Sequence, residues 1–298
     1  MNGNTTVQKA AGGRDYLAPV RRFLGSLAHE PLGMIAFAVV ALLLLVAIFA
    51  PLLAPYEPAR QNLQNVLQAP SWAHLMGTDE FGRDILSRVI WGTRITLRTV
   101  FSVSAIVGPI GLLIGVTAGY FGGRIDAFLM RCTDIVLSFP SLVLALTFAA
   151  ALGAGLNTAI IAIALTSWPP IARLARAEAL VVRNTDYVAA ARLYGIGAFR
   201  MILFYITPMC LPSVIVRLTL NMATITLTAA SLGFLGLGAQ PPLPEWGAMI
   251  SGGRRFILDN WWVALMPGFA ILITSLSLNI VGDTLRDILD PRHKRAGT

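Results

Sequence analysis

Six stretches of this chain are long, apolar and almost free of charge, and no feature limits its fold more. Residues 32–54 contain no Asp, Glu, Lys or Arg, and neither do residues 99–120, 135–152, 157–172 and 261–282. A sixth run, from about residue 208, carries a single charge, Arg217. About 20 residues rising 1.5 Å each cover a bilayer's hydrocarbon core, where a lone segment satisfies its backbone only as a helix. The chain is therefore expected to be all-α, a polytopic membrane protein with six transmembrane helices. Composition agrees: 56% of the 298 residues are hydrophobic and only 13% charged, too apolar for a soluble globule.

The connections follow from what interrupts the runs. Residues 1–31 form a basic tail with Lys9, Arg14, Arg21 and Arg22. The run at 32–54 exceeds the roughly 7–15 apolar residues of a cleaved signal peptide, so it reads as a retained first span. Residues 55–98 are polar and lie beyond the membrane. Residues 99–290 hold five further spans, and 291–298 form a second tail. Gly153-Ala154-Gly155 is an external hairpin between spans three and four, Pro140 is expected to kink the third span, and Trp168-Pro169-Pro170 to distort the inner end of the fourth. Gly108, Gly111, Gly115 and Gly119 recur on related faces, allowing a helix to approach closely, in this chain or another subunit.

The net charge of +8 could point to nucleic acid, but the basic residues sit between apolar spans and form no single patch. Of the 23 Lys and Arg, fifteen fall in the tails and the loops after spans two and four, seven fall in the opposite loops, and Arg217 is intramembrane. Positive-inside bias then places both termini and residues 183–208 in the cytoplasm. Cys132 and Cys210, the only cysteines, make no disulfide framework.

Residues 183–208 are the one long polar interruption in the later half. Thr185 or Asp186 is placed to cap a helix, Ala189, Ala190 and Ala191 favour it, and Gly195 or Gly197 ends it in the left-handed conformation. This predicts a helix over about 185–196 that carries Asp186, Tyr187 and Arg192, with Arg200 beyond it. It is either a docking element or an ordinary connector. The segment resembles the cytoplasmic loop of permeases in binding-protein-dependent ABC importers, through Ala189-Ala190-Ala191, Gly195 and Pro208. Ala189 stands where that family carries Glu, Tyr205 where it has Ile and Thr207 where it has Leu. The missing Glu removes a charge that could meet the ATPase.

A second stretch is more specific. Gly77-Thr78-Asp79, then Gly82-Arg83-Asp84, Ser87-Arg88 and Gly92-X-Arg94-Ile95 place carboxylates beside Arg83 and Arg88. Helix capping and ion pairing fit this better than a cation site, since the alternating acids and central Gly of a calcium loop are missing. The pattern resembles the C-type permease of dipeptide, oligopeptide and nickel importers, as do residues 233–247 and 283–292. That resemblance implies a type I ABC importer permease fold. It also implies a bacterial inner-membrane location, a B-type permease partner, two ATP-binding subunits carrying ATP and Mg, and an extracytoplasmic substrate-binding protein.

Arg217 lies roughly 13 Å beyond Pro208, near mid-membrane, where a charge must face protein or a water-filled path. With Asn221 one turn on, it either lines a translocation route and meets a solute carboxylate, or bonds to carbonyls of a neighbouring helix. Catalytic motifs are missing. Neither Lys9 nor Lys294 follows a P-loop pattern, His29-Glu30 is followed by Gly33 where a zinc protease has its second His, and no Gly-X-Ser-X-Gly occurs. The sequence thus predicts a non-catalytic permease subunit of an ATP-driven importer, without a cofactor of its own. Peptides are the solute implied by the resemblance, with nickel, glutathione or sugars as alternatives. A secondary transporter would need intramembrane carboxylates, which these spans lack. An assembly scaffold without transport is the remaining reading.

Overall fold

The computed structural model describes Leu27 and residues 30–289; the tail cations Lys9, Arg14, Arg21, Arg22, Arg292 and Lys294, with His29, Asp290 and Pro291, lie outside the described residues. Helices α1 (Pro31–Leu53), α2 (Ile85–Phe121), α3 (Gly123–Leu137), α4 (Ser141–Leu152), α5 (Leu156–Ser167) and α6 (Pro169–Val182) form the first half. They are followed by α7 (Asp186–Leu193), α8 (Thr207–Phe234), α9 (Trp246–Gly253) and α10 (Trp262–Leu289). No strand occurs among the described residues. Five helical segments are long and apolar enough to cross a membrane, or six if the bent pair α3 and α4 counts as one span.

Several boundaries differ from the sequence expectation. α2 begins at Ile85, not near residue 99, because Asp84 caps it and the charged turns through Arg98 continue the helix. Its 37 residues reach about 55 Å, well beyond a hydrocarbon core of about 30 Å. The third span is not merely kinked. α3 and α4 meet at 86°, since Pro140 has no N–H to carry the ladder across and Leu144 N–H restarts it on the Pro140 carbonyl. By contrast, Trp168 stays helical and Pro169 opens α6 without breaking the rod Leu156–Val182. The fifth span starts at Ala198, ahead of Pro208, as one rod to Phe234. A π turn at Met201–Ile206 sits just before Pro208, and Thr207 N–H bonds to Ile202 O, five residues back. That wider turn relieves the place where Pro208 cannot donate to Phe204 O. α10 likewise continues to Leu289, past the expected end at 282.

The core joins α2, α5, α6 and α8 through Val100, Val103, Val107, Ile163, Ile171, Ala175 and Leu232. Here the glycine ridge finds its partner within the chain. A methyl at Gly111 would meet Ile171 Cβ at 2.8 Å, one at Gly115 would strike the Ala172 carbonyl, and one at Gly119 would meet Ala179 Cβ at 2.7 Å. Gly108 faces α8, with Leu218 Cδ2 at 3.1 Å. A smaller cluster of Ile85, Trp246, Met249, Trp262, Val263 and Ile271 packs the start of α2 against α9 and the first half of α10. α1 buries only small residues, Gly33, Ala36, Ala47 and Ala50, against its neighbours.

Candidate functional site: two exposed helix faces and an outer lobe

At one end of the bundle, α7 hangs on a small anchor. Val188 and Ala191 are buried, Tyr187 tilts against Tyr205 at 5.5 Å, and Arg192 lies over the Tyr120 ring at 5.5 Å. The expected side-chain cap does not form. Thr185 occupies the cap position, but its hydroxyl donates back to Val182 O at 2.7 Å and so ties α7 to α6. The helix is two turns, shorter than the expected 185–196. It ends in a closed motif in which Gly195 N–H reaches Arg192 O and Ile196 N–H reaches Ala191 O. Gly195, at φ +74°, is the left-handed residue; Gly197, at −64°, is not. Asp186, Ala189 and Ala190 are exposed, beside Leu193 (90% exposed) and Tyr194 (87%). Sequence reading missed these last two, although a Leu-Tyr pair ending a polar loop is itself a signal of an apolar surface awaiting cover.

Along α8 the structure gathers more than Arg217 and Asn221. Ser213, Arg217, Asn221, Thr224, Thr228 and Ser231 follow one another at intervals of three or four, which places them on one face of the helix. All are exposed or half-buried in the isolated chain. The stripe is about 27 Å long, close to the thickness of the hydrocarbon core. Depth is set by packing: Leu218 abuts Gly108 of α2, and Leu220 abuts Gly282 of α10. Arg217 makes no hydrogen bond or ion pair among the described residues, and the Asn221 amide nitrogen is buried without a partner. Thr228 and Ser231 hydroxyls donate to Thr224 O and Leu227 O, leaving oxygen lone pairs outward. The signal missed in the sequence was the polar residues' helical interval across an apolar run.

At the opposite end, the signature residues tie together a compact lobe. Asp84 Oδ2 accepts from Ser87 N–H (2.8 Å) and Ser87 Oγ (2.6 Å), capping α2, while Oδ1 accepts from His74 Nδ1 at 2.9 Å. Asp79 accepts from Phe81 N–H and Arg83 N–H, and pairs with Arg83 Nε at 2.7 Å. Thr78 donates to Asn65 O and accepts from Gln68 N–H. Gly77 and Gly82 both hold positive φ, and a methyl at Gly82 would collide with Asn62 O. Trp262 Nε1 bonds to Thr78 O, tying the lobe to α10, and Trp246 Nε1 bonds to Val89 O, tying α9 to the start of α2. Nearby Glu245, only 7% exposed, caps α9 by accepting from Gly247 and Ala248 N–H. Burial pushes its carboxyl up to about 7 despite those two donors.

Comparison with known proteins gives consistent findings. Residues 111–295 match the family model of the binding-protein-dependent transport system inner membrane component, and residues 18–70 match that of the N-terminal TM domain of oligopeptide transport permease C. The chain is 46% identical over 263 residues to the probable D,D-dipeptide transport system permease protein DdpC of Escherichia coli K12, covering 88% of each chain. It is 43% identical over 287 residues to the di/tripeptide transport system permease protein DppC of Pseudomonas aeruginosa, covering 94% of this chain and 95% of that one. The fold is similar to that of the inward-facing MetNI methionine ABC transporter, with TM-score 0.56 and 21% identity over 69% of this chain and 98% of that chain.

Proposed function

From the premise that this chain belongs to the family of binding-protein-dependent transport system inner membrane components, as an integral inner-membrane permease of the C type, we propose that it is half of an ATP-driven peptide importer. The observation that carries this reading is the polar stripe from Ser213 to Ser231. A face of that polarity and length costs too much against lipid, so it requires protein or water over it. A B-type permease opposite α8 supplies the second wall of a translocation path. Arg217, at the depth of Gly108, offers a charge-assisted hydrogen bond to a carboxylate of the passing solute.

The rest of the assembly follows the two ends of the bundle. Two ATP-binding subunits, with their ATP and Mg, dock from the cytoplasm, one of them over Leu193, Tyr194 and the Ala189-Ala190 surface. Both termini share that side. An extracytoplasmic binding protein meets the lobe around Asp79 and Asp84. ATP-driven closure of the ATPases displaces α7, and the hydrogen bond from Thr185 to Val182 O passes that displacement to α6 and the spans. This chain makes and breaks no covalent bond. Peptide as the solute draws support from the dipeptide and tripeptide named for its relatives.

The test is uptake of labelled Ala-Phe into proteoliposomes holding the complete complex. Uptake is expected to require ATP and the binding protein, and Arg217→Gln to lower it about tenfold while all subunits still co-purify. Uptake driven by an ion gradient without ATPase subunits would replace the importer reading with that of a secondary transporter.

A further inference from the structure

The outer lobe borders an open cleft of about 450 Å³ between the signature loop, the outer end of α2, the 241–243 turn, α9 and the start of α10. It lies at the opposite end of α2 from the docking helix, since Ile85 lines it while Tyr120 meets Arg192 of α7. Its size falls in the range of small-molecule pockets, about 300–1,000 Å³, and its walls have their character: apolar surface with a few placed polar groups. Leu243, Met249 and Val263 give the apolar wall.

Not every polar group there has a hydrogen-bond partner. Asp79 is shared by Arg83 and Arg88, at 2.7 and 3.6 Å, and Glu80 also acts on Arg88 through space. Arg88 is 6% exposed, spends Nη1 on Pro58 O, and keeps a buried Nε with no hydrogen-bond partner. Glu80, also lining the cleft, has no hydrogen bond or ion pair; its Oε1 reaches α9, 3.3 Å from where a methyl would sit at Gly252. The pocket therefore presents a carboxylate, Glu80, and a guanidinium wall with no hydrogen bond or ion pair between them, beside an apolar wall.

We infer that this cleft is a receiving subsite for a small zwitterion of dipeptide size, with the solute ammonium on Glu80, its carboxylate drawn to the Arg88 wall and a side chain against Leu243 and Met249. The inference rests on the peptide-import reading for the identity of the solute. It adds a place at the outer surface where solute is held by this subunit before it enters the spans.

The full-length chain in nanodiscs, without binding protein or ATPases, is titrated with Ala-Phe and with N-acetyl-Ala-Phe, using ligand-observed NMR. Ala-Phe is expected to bind, and the acetylated peptide about tenfold or more weaker, because the neutral amide offers Glu80 no charge. Glu80→Gln is expected to weaken Ala-Phe to the same degree and to leave N-acetyl-Ala-Phe unchanged, a split that a misfolded lobe would not produce. Ala248→Phe, which fills the cleft from α9, is expected to abolish binding of both. No binding of Ala-Phe to wild type, equal binding of the two peptides, or an unaltered affinity in Glu80→Gln would each overturn the subsite. ATP-driven uptake persisting in such a case would leave the importer reading standing, whereas zwitterion binding without ATP-driven uptake would sink that reading and keep the subsite.

Discussion

Arg176 on α6 grips Asp126 on α3 with two parallel hydrogen bonds, Nε to Oδ1 at 2.5 Å and Nη2 to Oδ2 at 2.6 Å. One turn earlier, Arg173 reaches Asp134 at 2.6 Å, so two ion pairs fasten the broken third span to the fourth. The forked geometry suits Arg better than Lys. Arg176 is about one third exposed, which weakens the pair through screening. A double-mutant cycle of Asp126→Asn and Arg176→Gln, read from thermal unfolding in detergent, is expected to give a coupling of about 1 kcal/mol. Additive single effects would show that the pair is incidental.

The glycines of α2 should divide by what they touch. Gly115→Ala drives a methyl into the backbone of α6, which cannot yield without separating the helices, and is expected to cost about 1–3 kcal/mol. At Gly108 the obstacle is the end of the Leu218 side chain at 3.1 Å, which has room to rotate, so Gly108→Ala is expected to change the thermal midpoint far less. Equal losses at both positions would contradict the packing described for Gly115.

Gly195 is a conformational position with nothing within 4 Å of an added Cβ. Gly195→Ala is therefore expected to cost about 1 kcal/mol through its φ of +74° alone, and Gly195→Asn clearly less, since Asn tolerates the left-handed region. Solute-stimulated ATPase of the assembled complex should follow the same order. A larger loss with Asn than with Ala would mean that the surface, and not the backbone turn, is what the partner reads.

Glu245 predicts a pH dependence. Its folded carboxyl titrates at about 7 against 4.5 for the ordinary group, so below about pH 4.5 it is protonated in both states and its contribution is fully present. Between 4.5 and 7 only the unfolded form releases its proton, and stability falls by roughly 3 kcal/mol before levelling above pH 7. Thermal midpoints of the detergent-solubilised chain measure this. Glu245→Gln should flatten the slope across that window, and an unchanged slope would assign it to other groups.

What the sequence determined by itself was set by local rules. Uncharged runs of bilayer length can only be helices in lipid. The signature around Asp79 and Asp84 announces capping and pairing, because those bonds close within a few residues. Tertiary packing decided the rest. Whether Pro140 kinks or breaks a span depends on what α3 can grip, here Arg173 and Arg176 from a helix about 40 to 50 residues away in sequence. The glycine ridge could have served a neighbouring subunit until α6 was seen to fill it. Thr185 could have capped α7, but α6 ends close enough for its hydroxyl to bond to Val182 O instead. The face of α8 left uncovered, and with it the setting of Arg217, is the residue of all these contacts. No single helix encodes it, because exposure is what remains when every other face has found its partner.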